Sequence, residues 1–90
     1  SERQAFFTSP EWSAVRRRVW ARDRRSCQRC GREHRRGDPP YHVHHIGSWA
    51  THPGLRLELA NLVLLCRPCH RWVHSSENTR GELLRADSSA

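Results

Sequence analysis

Hydrophobic residues near the start of the chain recur with the period of an α-helix. Four of them fall on one side of such a helix: Trp12, Val15, Val19 and Trp20. Ser9 precedes this stripe as an N-cap, and the proline after it suits the first helical position. The pattern therefore predicts a helix over about residues 10–24, with both tryptophans packed in the core.

Two apolar strands and a further helix are predicted in the second half of the chain. The strands are Tyr41–Ile46 and Leu62–Cys66, and the helix starts at Pro68 and carries Trp72 and Val73. In the loop between the strands, alternate leucines over residues 55–59 leave strand and helical turn both open. A further short helix is predicted over residues 82–85.

Length and composition predict one small domain with a thin core. The chain has 90 residues, of which 36% are hydrophobic, and its mean hydropathy is −0.89. A domain of this size buries only about 60–65% of its unfolded surface, so something besides apolar burial should stabilise it. We predict a small α+β fold with a leader at 1–9, a domain at 10–76 and a polar C-terminal tail at 77–90, its last residues frayed.

The sequence shows neither a membrane span nor a secretion signal. The longest apolar run has five residues, whereas a bilayer span needs about 20. The first residues lack the apolar stretch and the small-residue cleavage site of a signal peptide. We therefore expect an intracellular protein with no membrane partner.

The positive charge of the chain indicates that it binds nucleic acid. All 16 basic residues are arginine, against 9 acidic residues, and ten of them lie between residues 16 and 36. Arginine matches phosphate geometry with a planar fork of donors, and a dense basic block in a small domain is typical of nucleic-acid binding. An ordinary solvated helix face, or a coding bias towards arginine, is the alternative. The predicted phosphate contacts are Arg16, Arg17, Arg18, Arg22, Arg24, Arg25, Arg35 and Arg36.

Four cysteines form two C-x-x-C pairs. Cys27 and Cys30 make the first pair, and Cys66 and Cys69 make the second, with 35 residues between the pairs. Two such pairs favour a tetrahedral zinc ion over two disulfides, since no export signal is visible. Four protein ligands leave no open position, so this zinc would be structural and its binding would stabilise the thin core. The C-x-x-C-H sequence at 66–70 also matches haem attachment, which the presence of the other pair, Cys27 and Cys30, disfavours.

Four of the seven histidines have informative positions. His44 and His45 are adjacent at the end of the first predicted strand. His70 and His74 are four residues apart, which places both imidazoles on one helix face as half of a metal site. The remaining histidines, at 34, 42 and 52, are interpreted as solvated or structural.

These residues together resemble the HNH endonucleases of the His-Me finger (ββα-metal) class. The resemblance rests on His44-His45-Ile46, Asn61-Leu62, the Cys66-x-x-Cys69-His70 segment and His74, and it covers about residues 10–76. The helix with Trp12 and the first cysteine pair also resemble the front half of zinc-knuckle HNH proteins of bacteria and phages. The resemblance implies a ββα-metal core with an N-terminal helix, in the cytoplasm of a bacterium or a phage-infected host.

The resemblance also implies roles for individual residues in DNA hydrolysis. His45 is similar to the general base, and His44 and His70 to ligands of a catalytic Mg²⁺, Mn²⁺, Ni²⁺, Co²⁺ or Zn²⁺ ion. His74 is similar to a third ligand or a phosphate contact. Asn61 matches the middle letter of the motif, either as a ligand or, as we favour, as the residue that pins the loop between the strands.

Several points remain open at the level of sequence. Strand alternation sends adjacent His44 and His45 to opposite faces, so both reach one site only if the strand ends or bulges there. The substrate is expected to be double-stranded DNA, cut in one strand or both. The biological role is open between a phage enzyme acting with the packaging terminase, a restriction enzyme and a homing-type nuclease. The alternative function is a non-catalytic, zinc-stabilised nucleic-acid-binding module.

Overall fold

A computed structural model describes residues 1–85 of the chain as a ββα core with two preceding helices. The helices are α1 (Glu2–Phe7), α2 (Pro10–Arg22) and α3 (Arg67–Val73), and the strands are β1 (His42–His45) and β2 (Leu62–Leu65). The strands pair antiparallel, with His42 opposite Leu65 and His45 opposite Leu62. The predicted α+β class is therefore confirmed. The frayed end expected after residue 86 lies outside the described residues.

Helix α2 begins and ends as its sequence dictates. The Ser9 hydroxyl accepts the Trp12 backbone N–H at 3.2 Å, which is the predicted N-cap. Trp12 and Val19 are buried. Arg24 and Arg25 then adopt left-handed backbone conformations, with φ of 55° and 56°, and these prevent the helix from continuing to residue 24 as predicted.

The segment predicted as a leader contains helix α1. Ser1 caps this helix, and Phe6 packs beside Trp12 with their ring centroids 5.4 Å apart. The Ser9 hydroxyl also donates to the Phe6 carbonyl at 2.7 Å, so one side chain joins the end of α1 to the start of α2. Six residues are too few for the helical period to show in the sequence.

Strand β2 is the centre of the core. All four of its residues are buried, and Leu64 and Leu65 have no exposed surface. Helix α2 contacts both strands, and α3 packs against β1. The buried Asp23 carboxylate accepts the Leu64 N–H at 2.9 Å, which ties the end of α2 to the middle of β2.

The helix predicted over residues 82–85 is absent. Residues 82 and 83 form a turn, with Gly81 and Leu83 in left-handed conformations, and residues 84–85 have no regular structure. For residues 55–59, which the sequence left open between strand and helical turn, Leu55 and Leu59 belong to two short 3₁₀ turns, Pro53–Leu55 and Leu59–Asn61, and Leu57 lies between them. Within residues 1–85, no helix is both long and apolar enough to span a bilayer.

Candidate active site

The four cysteines converge on one point between the turn after α2 and the start of α3. Their sulfur atoms lie within 4.8 Å of one another, and the Cys30 and Cys66 sulfurs are 3.8 Å apart. Four sulfurs at zinc–sulfur distances of about 2.3 Å in a tetrahedron are about 3.8 Å apart. All four cysteines are free thiols, so the two-disulfide alternative is not what the structure shows. The donor set and its spacing fit a structural zinc ion.

The thiols of this cluster have unequal proton affinities. Burial raises the pKa of Cys66 to about 12. Burial acts in the same direction on Cys27, but backbone N–H groups of Cys30, Cys66 and Arg29 outweigh it and lower the pKa of Cys27 to about 6. Zinc binds thiolates, so loading the site displaces protons, above all from Cys66.

Arg29 is the cationic neighbour of the cluster. Its guanidinium donates to the Cys69 sulfur at 3.4 Å and lies 3.7 Å above the Trp72 ring. A guanidinium at this distance stabilises the thiolate form of Cys69. Arg29 is thus positioned for the zinc site and was not among the predicted phosphate contacts.

Three histidines from β1 and α3 form a second cluster. One nitrogen from each of His44, His70 and His74 lies within 4.8 Å of the others. His44 is buried at the end of β1, and the other two are one turn apart on α3, with their Nε2 atoms 3.3 Å apart. Three imidazoles that leave further positions open are typical of a catalytic metal site. The donor set therefore fits a divalent ion.

Each of the two more buried histidines of this cluster has a second hydrogen-bonding partner. His44 donates from Nε2 to the Leu83 carbonyl at 2.7 Å. His70 contacts His42 through their Nδ1 atoms, also at 2.7 Å. Burial, with the neighbouring His44, His42 and His74, lowers the pKa of His70 to about 4, so its imidazole is neutral at pH 7. Neutral imidazoles are the form that binds metal.

His42 is a site residue that the sequence analysis missed. It was interpreted as solvated or structural, whereas its ring packs edge-on against His70 at a centroid distance of 4.9 Å. Strand alternation places residues 42 and 44 on the same face of β1, which is the signal that could have found it.

His45 lies on the opposite face of β1 from His44, as alternation requires. Its ring stacks on Trp12 at 5.2 Å, and its Nε2–H donates to the Arg56 carbonyl at 3.0 Å. Burial lowers the pKa of His45, the Arg56 carbonyl partly opposes this, and the charges of Arg56 and Arg3 add to the lowering. The bonded Nε2 leaves Nδ1 unprotonated and able to accept a proton.

The two adjacent histidines nevertheless border one open groove. This groove has a volume of about 350 Å³, and its walls include His44, His45, His70 and His74. The strand ends at His45, so side chains from both of its faces reach the groove. The sequence analysis required the strand to end or bulge at these histidines, and the strand does end there.

Asn61 fastens the loop between the strands. Its Oδ1 accepts the Gly47 N–H at 2.6 Å, and its Nδ2 donates to the carbonyls of Gly47 and Leu55, both at 3.1 Å. A Cβ atom at residue 47 would lie 3.0 Å from the His52 ring and 3.1 Å from Asn61 Oδ1, so only glycine fits there without displacement. These contacts hold the loop that begins directly after His45.

The arginines beside the histidines are not those predicted to bind phosphate. Arg3 of α1 lines the groove with the histidines, and Arg67 and Arg71 line a neighbouring depression of about 710 Å³ with His42, His70 and His74. Of the described residues, none of the eight predicted arginines lines either surface. All eight are exposed, and Arg16 and Arg25 lie over the Trp20 ring.

The Arg22 side chain has an ion-pair partner and hydrogen-bond acceptors within the protein that the sequence did not reveal. Its guanidinium pairs with Asp23 at 2.8 Å and donates to the carbonyls of Leu59 and Leu62 at 2.7 and 2.6 Å. Three protein acceptors hold this side chain on the strand connection. The phosphate contact of Arg22 stays a prediction, but its guanidinium already has these partners within the protein.

Comparison with known proteins places this geometry in a family. The sequence profile of the HNH endonuclease family matches residues 27–76, more than half of the chain. This chain belongs to the HNH endonuclease family. It is also 37% identical over 81 residues to the probable HNH endonuclease of Lactococcus phage SK1, an alignment covering 86% of this chain and 82% of that protein. No solved structure gives a significant match.

The segment that matches the HNH family does not include every element that borders the histidine groove. Residues 27–76 contain both cysteine pairs, both strands and α3 with its two histidines. They exclude α1, α2 and residues 77–85. Trp12, Arg3 and the Leu83 carbonyl, which all contact or border the histidine groove, therefore come from outside the matched segment.

Proposed function

We propose that this HNH protein is a metal-dependent endonuclease that hydrolyses phosphodiester bonds of double-stranded DNA. The observation that carries the proposal is the shared groove, in which a proton-accepting His45 stands beside the three converging imidazoles of His44, His70 and His74. A binding module would have no use for this pairing, whereas phosphodiester hydrolysis needs both parts.

His45 acts as the general base in this proposal. Its Nδ1 takes a proton from a water molecule as the water oxygen bonds to phosphorus, and the bond from phosphorus to the 3′ oxygen breaks. The 3′ oxygen then takes up a proton from solvent. The Nε2–H bond to the Arg56 carbonyl fixes the ring orientation and stabilises the positive charge that the ring gains.

His44, His70 and His74 hold a divalent ion in this proposal, with His74 as third ligand. A divalent ion bound there supplies Lewis-acid stabilisation of the charge that develops on the phosphate and on the leaving oxygen. Arg3 lines the same groove and brings a guanidinium to the position where a flanking DNA phosphate would lie. The four cysteines hold the structural zinc, away from the groove.

The phage relative favours a phage enzyme among the roles that the sequence left open. We propose that the protein acts on DNA in the cytoplasm of a bacterium or an infected host cell. Association with the packaging terminase remains a prediction. A domain of this size offers little surface for recognising a base sequence. A partner protein that provides the sequence specificity would therefore fit the proposal.

The test is cleavage of supercoiled plasmid by the zinc-loaded protein with Mg²⁺, Mn²⁺, Ni²⁺ or Co²⁺, and with EDTA as the blank. Wild type should cut with at least one ion. His45→Ala should lower the rate by about 10²–10⁴-fold and keep ion binding, because the base does not hold the ion. His70→Ala should lose the ion and keep the zinc.

His34→Ala is the matched control for these variants. His34 is also partly buried, but its ring packs on Trp20 and Tyr41, away from the groove. This variant should cut at the wild-type rate. A wild-type protein that binds DNA and cuts it with none of the four ions would favour the non-catalytic module instead.

A further inference from the structure

Residues 78–85, here called the C-terminal strap, lie against the histidine cluster although they follow the segment that matches the family. His44 is 2% exposed, and the acceptor of its Nε2 proton is the backbone carbonyl of Leu83 in the strap, 39 positions further along the chain. His44, the most buried histidine of the cluster, is thus oriented by a residue outside the segment that matches the HNH family.

Asn78 fastens the start of the strap. Its Nδ2 donates to the Val73 carbonyl at 2.8 Å, at the end of α3, and to the Glu82 carbonyl at 3.0 Å. Its Oδ1 accepts the Glu82 N–H at 2.9 Å. One side chain therefore joins α3, which carries His70, to the turn that presents the Leu83 carbonyl.

The far end of the strap is fastened to β1. The Arg85 N–H donates to the Ile46 carbonyl at 2.8 Å, directly after the strand that carries His44 and His45. The Leu83 side chain packs against the core, and its backbone has a φ of 59°, a conformation that residues other than glycine rarely adopt. Both anchors and this conformation aim the carbonyl at His44.

We propose that the C-terminal strap is a positioning element of the metal site, in which the Leu83 carbonyl holds His44 in the tautomer protonated on Nε2. That tautomer leaves the lone pair on Nδ1 as the only one that His44 can give to an ion. Asn78 is then a positioning residue that acts through His44. This inference rests on the proposed function, since it takes His44 as a ligand.

The chemistry of metal ligands supports this assignment. A ligating histidine usually donates its other ring N–H to a carbonyl or carboxylate, which fixes the ring and raises its basicity. Loss of such a partner typically lowers metal affinity about 10–100-fold. A strap that only covered the core would change thermal stability but would leave the tautomer of His44 and the ion affinity unchanged.

Asn78→Ala in the full, zinc-loaded chain is the first test. Titration calorimetry with Ni²⁺ or Mn²⁺ should show affinity about 10–100-fold weaker than wild type, with zinc content and circular dichroism retained. Thr79→Ala is the matched control, because Thr79 is an exposed neighbour in the same strap, and it should bind as wild type does. An Asn78→Ala protein that binds the ion within about twofold of wild type would overturn the inference.

The tautomer of His44 in wild type is the second test, and it does not depend on a variant that folds. Nitrogen-15 spectra of the imidazoles, with the His44 signals assigned by their loss in His44→Gln, should show the proton on Nε2. A proton on Nδ1 would overturn the inference. Wild type that binds the ion but cuts no DNA would overturn the proposed function alone, whereas cutting by wild type with no loss of affinity in Asn78→Ala would overturn this inference alone.

Discussion

His45 shows how one side chain is prepared for proton transfer by its surroundings. The ring is stacked on Trp12, and its Nε2 is bonded to a backbone carbonyl. Burial disfavours the charged imidazolium more than the neutral ring, so the pKa lies below the ordinary value of 6.5. The His45 imidazole is therefore neutral at pH 7, which is the form that the proposed general base needs.

The lowered pKa predicts the pH dependence of cleavage. Only neutral His45 accepts a proton, so the rate should rise as the pH increases through its pKa and should level off by about pH 7. The rate is measured under single-turnover conditions with the ion at saturation at each pH. The residual rate of His45→Ala should lack this rise, and a wild-type rate that still climbs above about pH 8 would contradict the assignment.

The loop between β1 and β2 is the element that sets the approach to His45. It begins at Gly47 and is closed by the three hydrogen bonds of the buried Asn61 amide. The same loop supplies the Arg56 carbonyl that orients His45, and the Arg56 guanidinium lies 3.4 Å above the Trp49 ring. Asn61, the middle residue of the HNH motif, is therefore linked to His45 through the loop that it fastens.

Asn61→Ala should weaken both the fold and the cleavage. It leaves buried backbone groups without partners, which costs about 1–3 kcal/mol in the free energy of unfolding. Thermal unfolding and plasmid cleavage measure the two effects. Asn61→Asp keeps the acceptor for the Gly47 N–H and should fall between wild type and alanine. Lost cleavage with unchanged stability would instead indicate that Asn61 contacts the ion or the substrate.

At the scale of the whole molecule, the proposed structural zinc would compensate for a small apolar core. Cys27 and Cys30 follow α2, while Cys66 and Cys69 begin α3, so an ion bound there joins the N-terminal half to the ββα core. Binding of zinc by small domains contributes about 10–16 kcal/mol at pH 7. This is as large as the stability of about 5–15 kcal/mol that a whole domain typically has.

Cys66→Ser should therefore give a protein that is unfolded or insoluble. Circular dichroism and zinc content are the measurements, and treatment of wild type with a strong chelator should give the same unfolded spectrum. Arg29→Ala is the control, because it removes the hydrogen bond to the Cys69 sulfur and the contact with the Trp72 ring but no zinc ligand, and it should remain folded with zinc bound. A Cys66→Ser protein with native thermal stability would refute the structural role of zinc.

The net charge of +7 makes DNA affinity a property of the whole surface. We predict that the affinity falls steeply with salt, with a slope of log K against log salt of about −0.9 for each phosphate neutralised. Arg17→Ala, at an exposed position, should make this slope less negative by about one. Arg22→Ala should lower thermal stability instead, because its guanidinium is bonded to the carbonyls of Leu59 and Leu62. Affinity that is unchanged by salt would exclude the arginines from the interface.

The fold class, the family and the cysteine and histidine clusters follow from the sequence because they depend on local spacing and ligand chemistry. Cysteines three apart and histidines four apart lie together wherever a turn or a helix forms. The helical period predicted α2, and short apolar runs predicted both strands. The roles assigned to His45, Asn61 and the histidine ligands remain predictions, and the geometry now specifies how to test them.

Tertiary packing alone decided the contacts that complete the site. His44 meets the Leu83 carbonyl 39 positions away, His42 meets His70 at a separation of 28, and the Arg22 donors find carbonyls 37 and 40 positions away. Backbone carbonyls have no signature in the sequence, and an arginine in a basic run looks the same whether it faces solvent or a strand end. The sequence thus indicated which groups could bind metal and phosphate, and packing decided which ring nitrogen of His44 and of His45 is free, because the bond on the other nitrogen is made by the backbone of a residue distant in the sequence.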